Sequence, residues 1–505
     1  MKKLALISVS NKEKIVELAE GLKSNNYAII ATGNTAKVIK DAGIDVTEIS
    51  GITGFPEIFN GRIKTLHPII FGGILLRRDN AIDKQEAGEN NINPIDVVCV
   101  NLYPFVNVTN KSDVDLTIAI ENIDIGGPSL IRAAAKNYKY VSILSSPKQY
   151  DLFIKELNRG VISEKTRKKL AVAAFSHTAD YDTHIANYFE NRFNLEPKDL
   201  RLSYPLSNKL RYGENPHQSA NIYGSFFDYF KVLHGKELSY NNIFDLVSAL
   251  EIVEELGDNS CSIIKHSNPA GAAIGKNLLY AYEKALRCDP ISAFGGIVAF
   301  TGTVDESLAY RLNEIFLEVI SAPDFTDEAL TILKQKKNRR LLKQLKPIKG
   351  EKLLVKSIPG GIILQDPDNV DLLEEKFYVA TDKKPGEKEL KDLYFAWKVA
   401  KHTKSNAIVF AKDSATLGVG AGQMSRLDSA KIAIMKAKEH GLDLNNSVVA
   451  SDAFFPFADG LLELIKCGAT SVIQPGGSVR DQEVIDAANK NNVSMVFTGV
   501  RHFKH

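Results

Sequence analysis

Along the first forty residues the apolar positions follow two rhythms. Leu4 to Val9 and Tyr27 to Ala31 are short apolar runs of the kind found in buried strands, whereas Glu13 to Lys23 and Thr35 to Asp41 space their apolar residues as one face of a helix does. Strand, helix, strand, helix in that order predicts βαβ units, hence an α/β fold built on a parallel sheet with helices on its faces. Asp96 to Val100 adds another apolar strand, and Cys261 to Ile264 reads as the end of a buried strand far down the chain. Asn268-Pro269 predicts the turn that follows it, which would set Lys265 and His266 at a strand's C-terminal edge. Phe175 to Asp182 reads as helix, and the polar, proline-bearing stretch Asn194 to Leu200 breaks the periodicity and marks a domain boundary.

Composition narrows the class. A chain of 505 residues exceeds one hydrophobic core and implies about three domain-sized units. With 44% hydrophobic residues, 25% charged and a net charge of +2, neither disorder nor nucleic-acid binding is indicated, so the partners are expected to be small molecules or a second copy of the chain. The basic stretch Lys334 to Lys352, which lacks interleaved aromatics, reads as a solvated helix face. Cys99, Cys261, Cys288 and Cys467 are scattered, which suits a reducing compartment and argues against a disulfide framework or a structural zinc site. No apolar window is long enough to span a bilayer and the N-terminal apolar run is too short for a signal segment, so no membrane partner and a cytoplasmic location are expected.

Two strand-to-helix junctions share one chemistry. Ser10, Asn11 and Lys12 follow the first strand, and Thr32, Gly33, Asn34 and Thr35 follow the second; backbone N–H groups at helix starts, small hydroxyls and a lysine suit a phosphate, though the same residue types are ordinary N-caps. Further on, Arg62-Ile63-Lys64-Thr65-Leu66-His67-Pro68, Asn101-Leu102-Tyr103-Pro104-Phe105 and Asp124-Ile125-Gly126-Gly127 precede a helix on which Arg132 and Lys136 stand four apart. Lys64, Tyr103, Asp124 and Lys136 would supply cations and proton carriers without a metal; alternatively the lysines are solvated and Tyr103 is core. His177, Tyr181 and His184 fall at helical spacing, a pattern read as structural rather than metal-binding.

In the second part of the chain Lys265-His266 pairs a cation and proton donor with a base that titrates near neutrality, which suits acyl or formyl transfer to a weak amine. Leu210-Arg211-Tyr212-Gly213-Glu214-Asn215-Pro216-His217 is dense in groups that bind anions and polar heterocycles.

These strings, together with Asp289-Pro290-Ile291-Ser292-Ala293-Phe294-Gly295-Gly296, Ser405-Asn406, Gly420 to Arg426, Ser451 to Phe457 and Arg501 to His505, run in order over essentially the whole chain. They resemble the bifunctional purine-biosynthesis enzymes that join phosphoribosylaminoimidazolecarboxamide (AICAR) formyltransferase to IMP cyclohydrolase. The resemblance implies a cyclohydrolase domain over 1–196, similar in fold to methylglyoxal synthase, and a formyltransferase domain over 204–505 made of two fused cytidine-deaminase-like units, about 204–365 and 380–505. The deaminase zinc motifs, His-x-Glu and Pro-Cys-x-x-Cys, do not occur, so deaminase chemistry is not expected. Carried over by motif, phosphate would be held by Ser10, Asn11, Lys12 and the Thr32–Thr35 loop, with Arg62, Thr65 and Asn101 also on the nucleotide, and Lys64, Tyr103, Asp124 and Lys136 would close the ring. Lys265 and His266 would catalyse formyl transfer. Arg211, Tyr212, Gly295, Asn406, Arg426, Phe454 and Arg501 would hold the nucleotide, while Leu427, Pro456, Asp459, Ser478 and Val479 would lie near the folate. The co-substrate implied is 10-formyltetrahydrofolate, with no bound cofactor or metal, and the subunits are expected to pair as a homodimer whose formyltransferase sites borrow residues across the interface.

One departure is Asn34, where the family pattern has Gly; if that position requires a positive φ, Asn is the least costly non-Gly residue and the loop shape survives. Two further readings stand beside this one. A lyase like methylglyoxal synthase leaves the last 300 or so residues unexplained, and a non-catalytic nucleotide-binding regulator would have no need of Lys136, Lys265 and His266.

Overall fold

The computed structural model describes residues 3–59, 61–110, 114–349, 353–370 and 377–505, so residues 350–352 of the basic stretch lie outside it. The chain divides into two compact units, Met1–Ser203 and Tyr204–His505.

In the first unit β1 (Lys3–Val9), β2 (Tyr27–Ala31), β3 (Val46–Glu48), β4 (Ile95–Asn101) and β5 (Ser142–Leu144) form a parallel sheet in the order β3-β2-β1-β4-β5. Ala5, Leu6 and Ile7 of β1 are fully buried because helices cover both faces. The helix Ile15–Ser24 turns Ile15, Leu18, Ala19 and Leu22 inward, and each large aliphatic side chain so buried contributes about 1.5–3 kcal/mol. β1 pairs with β2 on one side and β4 on the other. Connections therefore leave in opposite directions between β1 and β4, which opens a crevice beyond their carboxyl ends.

The second unit begins with a small hairpin, β6 (Leu206–Lys209) and β7 (Asn221–Tyr223). β8 (Phe230–His234), β9 (Ser260–Lys265), β10 (Asn268–Ile274), β11 (Ile297–Phe300), β12 (Val319–Ala322) and β13 (Arg340–Gln344) make half of a twelve-stranded sheet. After an isolated hairpin of β14 (Leu354–Ile358) and β15 (Gly361–Gln365), the other half is β16 (Tyr378–Val379), β17 (Ile408–Lys412), β18 (Ala415–Gly420), β19 (Ser447–Ser451), β20 (Ala469–Gln474) and β21 (Ser494–Phe497). The order is β16-β21-β20-β19-β17-β18-β10-β9-β11-β12-β13-β8. From the centre outward each half repeats the other: an antiparallel hairpin, three mutually parallel strands, and one antiparallel edge strand. The halves join where β10 meets β18 antiparallel, at Ala273 and Ala415.

Three expectations change. The turn after β9 is made by His266 and Ser267, at φ 52° and 61°, and Asn268-Pro269 already belongs to β10, opposite Lys265 and Ile264. Two central residues at positive φ define a type I′ hairpin, whose twist matches that of the strands. At the phosphate loop the positive φ falls on Gly33, at 28°, and not on Asn34, so Asn34 meets no conformational demand there. The basic stretch is not a solvated helix face: Arg340 opens β13, and Arg339 and Arg340 are buried. Arg339 donates to Asn313 Oδ1 at 3.0 Å and to the Leu312 and Ile315 carbonyls, which is how a guanidinium is tolerated inside.

Candidate active sites

The crevice beyond β1 and β4 is a cavity of about 640 Å³. Ser10 and Lys12 from the end of β1, Thr32, Asn34 and Thr35 from the end of β2, and Asn101 from the end of β4 line it. Arg62, Lys64, Thr65, Tyr103 and Asp124 close it from the loops. Asn11 joins through its N–H, which donates to Asn101 Oδ1 at 2.9 Å, as does Ser10 N–H at 2.6 Å. Thr32 and Thr35 brace the junction, Thr32 Oγ1 lying 2.9 Å from Ser8 Oγ and Thr35 Oγ1 donating to the Val9 carbonyl. Burial lowers the Lys12 pKa, and the nearby Lys64 ammonium lowers it further. Burial raises the Asp124 pKa, against the Gly127 N–H at 2.7 Å and the Lys64 charge, which favour the carboxylate. A carboxyl held between those influences is suited to exchanging protons.

The Gly126-Gly127 pair is demanded by close approach: a Cβ on Gly126 would fall 2.7 Å from Thr65 Oγ1, and one on Gly127 would strike Leu102 and the Asp124 carboxylate. Lys136 is not brought to this cavity. It is the exposed last residue of the helix Gly126–Lys136, roughly 15 Å along the axis from the end that carries Gly126.

In the second unit Lys265 Nζ donates to the carbonyls of Phe294 and Gly295, each at 3.1 Å. An ammonium has three donors, so one remains for a ligand. The exposed His266 side chain stands on the I′ turn, and Asn268 ties that turn to the other half-sheet by accepting Lys404 N–H at 3.0 Å. Two residues on, Asn406 Oδ1 accepts from Arg426, which also donates to the Phe454 carbonyl and to the fully buried Asp452.

Strand register explains the gathering. The end of β9, the starts of β11 to β13 and β17, and the ends of β18 to β21 all lie along one edge of the sheet. Leu427 follows Arg426 there, Pro456 and Asp459 follow β19, Ser478 and Val479 follow β20, and Arg501 follows β21. Arg480 stacks over Phe457 with 4.7 Å to the ring centroid, linking the loops after β19 and β20. Arg211, stacked on Tyr212, lies by Arg340 at the start of β13, three strands or roughly 14 Å from β9 along the same edge.

Residues 14–129 match the family model described as MGS-like domain, and residues 134–436 match that of the AICARFT/IMPCHase bienzyme. The chain belongs to the AICARFT/IMPCHase bienzyme family. It is similar along its whole length to proteins named bifunctional purine biosynthesis protein PurH: 50% identical over 512 residues to that of Thermoanaerobacter sp. (strain X514) and 49% over 518 residues to that of Persephonella marina, with all of each chain covered in both pairs. The Chloroflexus aurantiacus protein is 49% identical over 505 residues, covering 99% of this chain and 98% of the relative.

Several residues around the two candidate sites escape sequence reasoning. Glu121 lines the first cavity and pairs with Arg62, and nothing in its surroundings in the chain marks it out. Tyr181 is a second case, since its hydroxyl accepts Asp124 N–H at 2.9 Å and donates to the Asn122 carbonyl at 3.1 Å. Its helical spacing beside His177 and His184 was the available signal; His184 itself pairs with Asp180 at 3.4 Å. In the second unit Asp245 is a further case, and Asp452, though within the Ser451–Phe457 string, has no role assigned by the motifs.

Proposed function

We infer that this bienzyme transfers the formyl group of 10-formyltetrahydrofolate to the 5-amino group of AICAR, and then closes the formylated nucleotide to IMP with loss of water. The observation that carries the reading is the match of residues 134–436 to the AICARFT/IMPCHase bienzyme model, joined to end-to-end similarity at about half identity to proteins named bifunctional purine biosynthesis protein. In the first step the AICAR amine attacks the formyl carbon, His266 takes the amine proton, and the free Lys265 donor steadies the oxyanion or protonates the departing folate nitrogen. In the second, the carboxamide nitrogen attacks the new formyl carbon within the same molecule. Closure gains from preorganisation and needs proton transfer, for which Asp124, Lys64 and Tyr103 are proposed, while Lys12 and Arg62 hold the phosphate end. Neither step needs a metal.

A homodimer is proposed as the working assembly. Both strands of the β14–β15 hairpin are exposed throughout, and they carry Leu354, Val355, Ile358, Ile362, Ile363 and Leu364. A two-stranded ribbon is marginal in water, so a second copy covering these side chains accounts for it. Exposed Ile291, Phe294, Met424 and Val479 along the Lys265–Arg426 edge fit the same cover. Ile363→Asp is expected to yield monomers by light scattering; an intact dimer would place the interface elsewhere. A cytoplasmic setting is proposed on the four free cysteines, and no described helix is long and apolar enough to cross a membrane.

The test of function is His266→Ala in the whole chain. Formyl transfer should disappear while cyclisation of supplied formylated nucleotide persists; loss of both in a folded variant refutes the two-site assignment.

A further inference from the structure

The turn that carries His266 is held by one carboxylate. Asp245, on the helix Tyr240–Leu256, accepts His266 N–H on Oδ2 at 3.2 Å, and accepts both Ser267 N–H at 2.8 Å and Ser267 Oγ at 3.1 Å on Oδ1. Type I′ geometry points both central N–H groups of the turn to one side, and the acceptor that meets them also offsets the strain of two non-glycine residues at positive φ. Neither Asp245 nor this contact follows from the family motifs quoted above.

The repeated half-sheet supplies an internal control. Asp392, on the helix Glu387–Lys401, accepts Asp413 N–H at 2.8 Å and Ser414 N–H at 2.6 Å, and that turn too has both residues at φ 54°. Spacing repeats as well as geometry: Asp245, Lys265, Ser267 and Gly271 recur as Asp392, Lys412, Ser414 and Gly418. At the second turn the residue in the place of His266 is Asp413, whose carboxylate pairs with Lys388 at 2.6 Å. Because the halves meet antiparallel, the second turn lies on the opposite edge of the sheet from Lys265, Asn406 and Arg426. One clamp thus serves a turn with an imidazole at the candidate site, and its copy serves a turn with none.

We propose that Asp245 is the positioning residue of formyl transfer: by gripping the His266 and Ser267 N–H groups it fixes the backbone from which the imidazole reaches the attacking amine. The inference rests on His266 being the base. Asp245 touches neither substrate in this account, and acts only through the turn.

The experiment sets Asp245→Asn beside Asp392→Asn in the full chain, with formyl transfer, cyclisation and thermal unfolding measured for each. Asparagine keeps the size but presents an NH₂ to one of the two N–H groups, so each clamp loses one acceptor. Asp245→Asn is expected to lower kcat for formyl transfer about 10- to 100-fold with KM for AICAR within about twofold, as misplacement of a reacting group does. Asp392→Asn is expected to leave formyl transfer within about twofold even where its Tm falls as far, and cyclisation should hold in both. Asp245→Asn combined with His266→Ala should be no slower than His266→Ala alone, because the effect passes through the imidazole. If Asp245→Asn does not accumulate folded, Ser267→Ala removes only the 3.1 Å bond and should slow transfer about two- to fivefold, while Ser414→Ala should not. Equal losses of formyl transfer in the two clamp variants, in proportion to their Tm, overturn the proposal, as does a wild-type kcat in Asp245→Asn and Ser267→Ala. Wild-type transfer by His266→Ala instead overturns the base assignment beneath it, so the two failures read differently.

Discussion

Replacing Arg426 by Met tests whether this guanidinium, proposed to hold the nucleotide, is also part of the scaffold. Its Nε donates to Ser451 Oγ at 2.8 Å, Nη1 to the Phe454 carbonyl at 3.0 Å, and Nη2 to Asn406 Oδ1 at 2.9 Å and Asp452 Oδ1 at 2.8 Å. Of five N–H donors one is left over. Methionine fills much of the same aliphatic volume, so the change is mainly one of charge and hydrogen bonds. The Asp452 side chain is 0% exposed, and its other oxygen accepts only Ser405 Oγ among the side-chain bonds described, at 2.6 Å. Removing one partner of a buried pair costs about 3–5 kcal/mol. For the 302 residues of the second unit, at about 2.1 cal/mol/K per residue, the unfolding entropy is on the order of 0.6 kcal/mol/K, so that unit's Tm should fall by about 5–8 °C. Differential scanning calorimetry at fixed protein concentration reads it, and cyclisation in the same sample reports on the first unit. Arg426→Met with Asp452→Asn should recover more than half the loss, because no buried charge is then stranded. A single variant within 1 °C of wild type, or a double variant no better than the single, would refute the reasoning and leave Arg426 as a free ligand-binding group.

Two other outcomes are expected. Tyr181→Phe leaves Asp124 N–H without its acceptor, a loss of about 1–3 kcal/mol that should slow cyclisation roughly 5- to 160-fold at unchanged formyl transfer; steady-state rates with formylated nucleotide check it, and an unchanged rate would detach Tyr181 from the site. Glu255 is buried, which pushes its carboxyl up, but His402 at 2.6 Å and Lys401 at 3.2 Å outweigh this and bring it to about 2, while burial of the His402 ring lowers its own pKa against the pull of Glu255. A pKa depressed on folding gives stability that is present above the unfolded value near 4.5 and is lost as pH falls towards 2, on the order of 3 kcal/mol in all. Urea titrations of wild type and Glu255→Gln should therefore converge between pH 4.5 and 2; a gap that widens with acid contradicts the sign.

The elements were most legible where burial on two faces leaves an uninterrupted apolar run. β2 has the expected bounds, Tyr27 and Ala31, and β1 and β4 differ by a residue or so at their ends. The first cavity was largely legible too, since parallel topology brings the ends of β1, β2 and β4 together and with them Ser10, Thr35 and Asn101. Proline misled at Asn268-Pro269, because the turn there is set by a carboxylate some twenty residues earlier in the chain, which no local rule sees. Charge misled at Arg339, which reads as exposed until three acceptors from 312–315 are found around it. Helical spacing put Lys136 on a common face with Arg132 and says nothing of its distance from Asp124. The repeat in the second unit left one trace, the recurrence of Asp, Lys, Ser and Gly at equal intervals, which means something only once the two half-sheets are laid over one another.

The antiparallel seam between β10 and β18 has a consequence during synthesis. β10 ends at Ile274 and β18 at Gly420, so 146 further residues must be made before the seam can close. At about 5–20 residues per second the outer edge of β10 stands open on the ribosome for roughly 7–30 s. An open edge invites pairing with a neighbouring nascent chain. A chain stopped at residue 365 is expected to self-associate through that edge, and a soluble monomeric fragment would show that the first half-sheet shields it alone.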